Sequence, residues 1–280
     1  MSGLAAQQPG IEPSRVGAPT SIVEDIRRAR QRSSLRFRLI FIATWFVLVG
    51  GLSLAIASSG RIHIDFLAEW APFFLGGVPL TIFVSVLSIG FAVVFALIGA
   101  LGRISTIAPV YATATLYVSL VRGTPLIVQI FFVYAALPQF GVVLPAIVAG
   151  VFALSFNYGA YMTEIFRAGI EAIPRGQVEA AHALGMTDAQ TMRRIVLPQA
   201  VRIVIPAIGN EFIAMIKDSA LVSFVALQEL FWRARTTGSA KFASFETLIF
   251  AAVVYWLLTM TFSAGQEWLE RRMAESDRRS

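Results

Sequence analysis

Five polar residues stand inside or at the margins of long apolar runs of this 280-residue chain and could do chemistry there: Arg122, Asn157, Tyr161, Glu164 and Asn210. A polar group at bilayer depth is costly, so it faces protein or water and marks either a path or a structural tie. The planar guanidinium of Arg122 can receive a carboxylate through two parallel hydrogen bonds. Pro125, just beyond it, removes a backbone donor and is expected to break the helix and free a carbonyl. Arg122 has an alternative role, pairing with Glu164 or capping carbonyls to hold the bundle together. Asn157, Tyr161 and Glu164 recur at i, i+4 and i+7, one stripe of a helix. Glu164 suits an amine, or serves as the partner of Arg167 or Arg122 near the end of its span. The amide of Asn210 can serve both an amine and a carboxylate. Lys217 follows on the same face, with Glu211 and Asp218 beside the two, and Lys217 with Asp218 can form a self-neutralising pair.

A second set lies in the polar stretch 164–199, between two apolar spans. Its chemistry is docking. Pro174 and Gly176 break the helix leaving the membrane. Residues 177–184 predict a short helix with a smooth surface of Ala180, Ala181 and Ala183, and Gly185 ends it as glycine does after a helix C-terminus. Thr187 with Gln190 three residues later predicts a capping box for a second helix. Pro198 is expected to stop or kink that helix. The product is a bent pair of helices outside the bilayer, offering a surface to something in water, with Glu179 free to meet a basic group.

The elements that hold these residues must be membrane helices. The chain is 56% hydrophobic and only 14% charged, against about 25% charged in soluble domains. Uncharged runs cover 39–60, 71–102, 123–163 and 247–266. Crossing a bilayer as a helix takes about 20 apolar residues, whereas barrel strands are near ten and alternate. The expected fold is all-α, with about six spans near 39–58, 73–101, 108–137, 144–168, 202–227 and 246–267. Residues 59–71 and 228–245 are expected as loops, and 1–24 as disordered, with a basic surface helix at 22–37. Gly76, Gly77, Gly90, Gly99 and Gly102 predict close helix packing around the second span. The chain has no cysteine, hence no disulfide or thiolate metal site, and His63 and His182 have no ligand-like spacing. No metal or catalytic residue is expected.

Orientation follows from the arginines. Arg15, Arg27, Arg28, Arg30, Arg32, Arg36 and Arg38 precede the first span, and Arg103 follows the second. Arg167, Arg175, Arg193, Arg194 and Arg202 border the polar loop, and Arg271, Arg272, Arg278 and Arg279 end the chain. Six spans with both ends inside put all of these on the cytoplasmic side. This balance explains the net charge of +6 without nucleic acid.

The motif Glu179-Ala180-Ala181, three residues, Gly185, nine residues, Ile195-x-Leu197-Pro198 resembles the signature of permease subunits of binding-protein-dependent ABC importers. Arg122-Gly123-Thr124-Pro125-Leu126 with Gln129 resembles the polar amino acid (histidine and glutamine) type. So do Ala160-Tyr161 with Glu164 and Arg167, and Pro206, Asn210 and Lys217-Asp218. The likeness covers roughly 73–272. It departs from the family at Ala220, often serine there, and in its extra first span. The resemblance implies a five-helix permease core at 73–267 with the coupling loop 169–200 inside it. It adds a basic tail at 1–38, an extra helix at 39–58 and a basic tail at 268–280. It also implies a bacterial inner membrane location, and partners: ABC ATPase subunits that hold ATP and magnesium, a second permease, an extracytoplasmic binding protein and a polar amino acid. The chain itself has no GxxxxGK[ST] sequence and is expected to carry no cofactor and hydrolyse nothing. An ion-driven secondary transporter using Glu164 and Lys217-Asp218 is the alternative. It calls for inverted repeats, which the sequence does not display, and leaves the loop unexplained. A non-transporting scaffold is a third reading, weakened by the polar stripes.

Overall fold

The structure is a computed structural model. It describes residues 20–58, 60 and 63–277, with side-chain surroundings described for 36–55, 58, 60 and 63–273. Contacts divide the chain into 1–62 and 63–280. The first unit holds one uninterrupted helix, α1 (Thr20–Ser58). The expected surface helix and first span are thus a single rod, whose segment Arg36–Ala55 is long and apolar enough to cross a membrane. Most of the expected disordered segment, 1–19, lies outside the described residues, as do Arg278 and Arg279.

The second unit begins with α2 (Ile64–Leu75) where a loop was expected. Its charges are few: Asp65 sits in the first turn, where a carboxylate complements the helix dipole. Phe66, Trp70 and Phe73 contact one another in succession along it. After the turn at Gly76-Gly77 comes α3 (Val78–Arg103), then α4 (Ala108–Arg122). The expected third span is broken. At Gly123-Thr124-Pro125 the chain turns by 105° into the segment Leu126–Phe140, made of α5 (Leu126–Phe131), a π-helical turn and a 3-10 turn. Pro125 has extended backbone at the N-cap of α5, so the proline starts a helix rather than kinking one. The central helix is α6 (Ala146–Glu171), two thirds of whose apolar window is buried. It leads through α7 (Arg175–Ala183) and α8 (Asp188–Thr191) to α9 (Leu197–Asp218). A 3-10 segment, Ser219–Val225, follows, then α10 (Leu230–Ala240), again where a loop was expected, and α11 (Ser244–Asp277). Among the described residues five helices qualify as spans, or six if the bent pair counts as one.

Of the two outcomes expected at Pro198, a stop or a kink, the stop does not occur: helix 188–218 runs through it. The π-helical turn Met192–Val196 precedes the proline. A wider turn re-pairs the carbonyls that a proline leaves without a donor, so the helix runs on.

The glycines near α3 allow close approach of neighbouring segments, with one exception. A Cβ on Gly77 would come within 2.6 Å of the Leu230 backbone nitrogen, and one on Gly102 within 2.7 Å of the Ala114 Cβ. Gly90 faces open space, so the packing expected of it is absent within the described residues. At Gly77 the obstacle is backbone, which cannot swing aside. Gly77→Ala is expected to destabilise the fold by about 1–3 kcal/mol, read as a lower melting temperature in detergent.

Glu229 explains why α10 lies there. It is fully buried and caps α10, accepting from the Phe231 and Trp232 amides at 2.9 and 2.7 Å. The hydroxyls of Thr81 and Tyr255 also donate to it, at 3.2 and 2.6 Å. One carboxylate therefore ties α3, α10 and α11. Burial pushes its carboxyl above the usual range, and the donated hydrogen bonds pull the other way. Glu229→Ala strands these neutral donors, at about 1–3 kcal/mol for each that finds no new partner, and is expected to cost about 3–5 kcal/mol in all. Thermal unfolding in detergent checks this.

Candidate functional site

The polar loop folds from local rules. Pro174 is the N-cap of α7. At its far end the Gly185 amide donates to the His182 carbonyl and the Met186 amide to the Ala181 carbonyl. This pair of bonds is the Schellman motif. It requires a left-handed residue, and Gly185 has φ +78°. Thr187 then caps α8 as a full capping box: the Gln190 amide donates to the Thr187 hydroxyl at 3.3 Å, and the Gln190 side chain accepts from the Thr187 amide at 3.0 Å. The expected helix, stop and cap are all present.

The fold sorts the signature residues by exposure. Ala181 is buried, whereas Glu179, Ala180 and Gly185 are exposed, and Leu184 beside them is 84% exposed. Ile195 is half-buried, Leu197 and Pro198 are exposed, and all three belong to the start of the helix that becomes α9. The loop is braced against that helix by the Gln199 amide, which donates to Gln177 at 2.6 Å and to the Ile195 carbonyl at 2.9 Å. The result is a braced hinge with an outward face of Glu179, Ala180 and Leu184.

The five expected path residues separate into three places. Arg122 ends α4 at the break, and its guanidinium lies 5.2 Å from the centre of the Tyr161 ring on α6. It does not pair with Glu164, and no carboxylate reaches ion-pair distance of it among the described residues. Asn157 lies nearby on α6 and donates to Gln129 at 3.2 Å. Gln129 in turn donates to the Val121 carbonyl at 2.8 Å and to the Thr124 hydroxyl at 2.9 Å. Gln129, held by Asn157, thus satisfies the carbonyls freed where α4 ends, and Arg122 is left unspent. Glu164 lies one turn beyond Tyr161 on α6, on the side of its C-terminus, where both its oxygens are taken by Arg103 at 3.1 Å and Arg167 at 2.8 Å. Asn210 faces α11, accepting from Gln266 at 3.2 Å.

Sequence reasoning missed Tyr158 and undervalued the acids of α9. The Tyr158 hydroxyl donates to Asp218 at 2.8 Å, so Asp218 answers α6 rather than Lys217, and the expected self-neutralising pair is absent. Glu211 lies seven residues before Asp218, on the same helix face, half-buried and without an ion pair among the described residues. Tyr158 and Tyr161 are neighbours on α6 at i, i+3. From Arg122 through Tyr161 and Tyr158 to Asp218 and Glu211 runs a row of polar groups contributed by α4, α6 and α9. It has a guanidinium at one end and carboxylates at the other. The signal for Tyr158 was its i, i+3 spacing from Tyr161 on the same helix.

Comparison with known proteins identifies the family and the fold. A family described as "Binding-protein-dependent transport system inner membrane component" matches residues 92–275. The L-cystine transport system permease protein TcyB of Bacillus subtilis is 41% identical over 203 residues, 72% of this chain and 87% of that protein. The arginine transport system permease protein ArtQ of the same organism is 39% identical over 74% of this chain and 94% of its own length. Among solved structures, an amino acid ABC transporter with histidines superposes with a TM-score of 0.72 at 41% identity, covering 75% of this chain and 99% of that one. The MetNI methionine ABC transporter shares the fold, with a TM-score of 0.58 at 20% identity over 71% of this chain and 95% of that one.

Proposed function

The chain belongs to the binding-protein-dependent transport system inner membrane component family, and from that premise we propose how its residues carry cargo. It is a multi-pass permease subunit of an ABC importer. Its cargo is a polar amino acid or related zwitterion, in keeping with relatives named for cystine and arginine. Both termini and the loop 169–200 face the cytoplasm, as the arginine distribution favours. There the exposed face of α7 sits against an ATPase subunit that binds ATP and magnesium. Two permeases, each with one such loop, line the path, and an extracytoplasmic binding protein supplies the amino acid.

The observation that carries the cargo reading is the unspent guanidinium of Arg122, laid on Tyr161 in a row that ends in carboxylates. A guanidinium stacked on an aromatic ring keeps its N–H edges free for a carboxylate. Glu211 and Asp218 offer acceptors to the amine. Glu164 and Asn210 belong to helix–helix ties, and Asn157 holds the break in α4 open.

Purification of the tagged chain in mild detergent tests this reading. The expected result is a co-purified P-loop ATPase whose hydrolysis rises when a binding protein and one amino acid are added. A chain that purifies without an ATPase and moves solute down an ion gradient in liposomes overturns it.

A further inference from the structure

Where α6 ends, four charges and a hydroxyl form one knot. Arg103, the last residue of α3, donates to Glu164 at 3.1 Å and to the Thr115 hydroxyl of α4 at 2.7 Å, and lies 5.2 Å from the centre of the Tyr111 ring, also on α4. Arg167 donates to the other oxygen of Glu164 at 2.8 Å and to Glu171 at 2.6 Å. Glu164 and Arg103 are largely shielded, at 21% and 18% exposed. Just beside the knot a Cβ on Gly99 would overlap the Thr163 side chain, so α3 and α6 touch there.

We propose that Glu164 is a positioning residue: with Arg103 it locks the end of α6, from which the coupling loop departs, to α4, which carries Arg122. The inference rests on the ABC reading above. Pro174, the N-cap of α7, lies three residues beyond Glu171, so a displacement of the loop reaches this end of α6 directly, as it reaches α9 on the loop's other side. Packed helices move as rigid bodies past bistable contacts rather than bending continuously. Thr115 is two turns from Arg122 on α4, about 10 Å along the axis. A body made of α3, α4 and α6 therefore moves Arg122 and Tyr161 together when the loop moves. With the knot cut, the loop can follow the ATPase while α4 lags behind.

The test is the reconstituted importer, with its ATPase and binding protein, in proteoliposomes. Import of the amino acid that stimulates the wild type is counted beside phosphate release. Glu164→Gln is expected to keep ATP hydrolysis within about twofold and to lower amino acid moved per ATP at least about tenfold, within the range of ordinary coupling energies. Arg103→Gln severs the bridge to α4, leaves the pairing of Glu164, Arg167 and Glu171 intact, and is expected to uncouple in the same way. Arg103→Lys, which keeps the charge, is expected to recover part of the ratio. Should Glu164→Gln fail to assemble, the two Arg103 variants decide. Unchanged transport per ATP in Arg103→Gln overturns the proposal, as does a parallel fall in import and hydrolysis, the mark of structural support alone. A wild-type complex with no stimulated hydrolysis instead overturns the ABC reading.

Discussion

Gly185→Asp is expected to leave the protein in the membrane and to reduce ATP-dependent uptake by about 100-fold or more, the loss that follows when ~3 kcal/mol disappears from an interface hot spot. Two physical causes are separable. Gly185 sits at φ +78°, where a residue with a Cβ is strained by about 1 kcal/mol or more. A Cβ there meets nothing within 4 Å in the chain itself, so the new side chain projects from the loop without disturbing its packing. Whatever it disturbs belongs to the partner. Asparagine matches aspartate in bulk and tolerates the left-handed region, whereas alanine adds strain with almost no bulk. Gly185→Ala is therefore expected to retain most uptake, Gly185→Asn to lose much of it, and Gly185→Asp to lose nearly all. Uptake and ATPase co-purification measured side by side check the order. Normal uptake by Gly185→Asp would sink the docking argument.

Arg122→Gln is expected to raise the KM for amino acid uptake by roughly 10- to 150-fold, the equivalent of the ~1.5–3 kcal/mol that a hydrogen bond to a charged group contributes. Protein yield and thermal stability are expected to stay near wild type, because Arg122 holds no ion pair among the described residues and its only described contact is with the face of Tyr161. Arg122→Lys is expected to fall between the two, keeping the charge and losing the two-pronged geometry. An amino acid amide in place of the acid should be a poor substrate of the wild type and should discriminate little between wild type and Arg122→Gln. An unaltered KM in Arg122→Gln, or equal use of acid and amide by the wild type, removes the carboxylate role.

Much of this protein is determined by its sequence alone. Apolar runs of membrane length allow only helices, since a backbone in lipid must bond to itself. The hinge at Gly185 and the cap at Thr187 were legible too, because Schellman motifs and capping boxes are made by residues a few positions apart. The same holds for the end of α4 at Pro125. Tertiary structure alone decided the partners of the polar residues. Residues 59–71 and 228–245 read as loops because their charges interrupt the apolar pattern, yet Asp65 lies in the first turn of one helix and Glu229 is buried as the cap of another. Pro198 read as a stop or a kink because the π-helical turn that precedes it has no sequence mark. Glu164 and Asn210 share a residue type and a depth with path-lining groups, but Arg103 and Gln266, 61 and 56 residues away in sequence, claim them. A stripe of spacing i, i+4, i+7 fixes which face of a helix is polar. Which neighbour meets each turn of that face is set by helix crossings between segments far apart in the chain. These crossings leave Arg122 unspent and Glu164 tied.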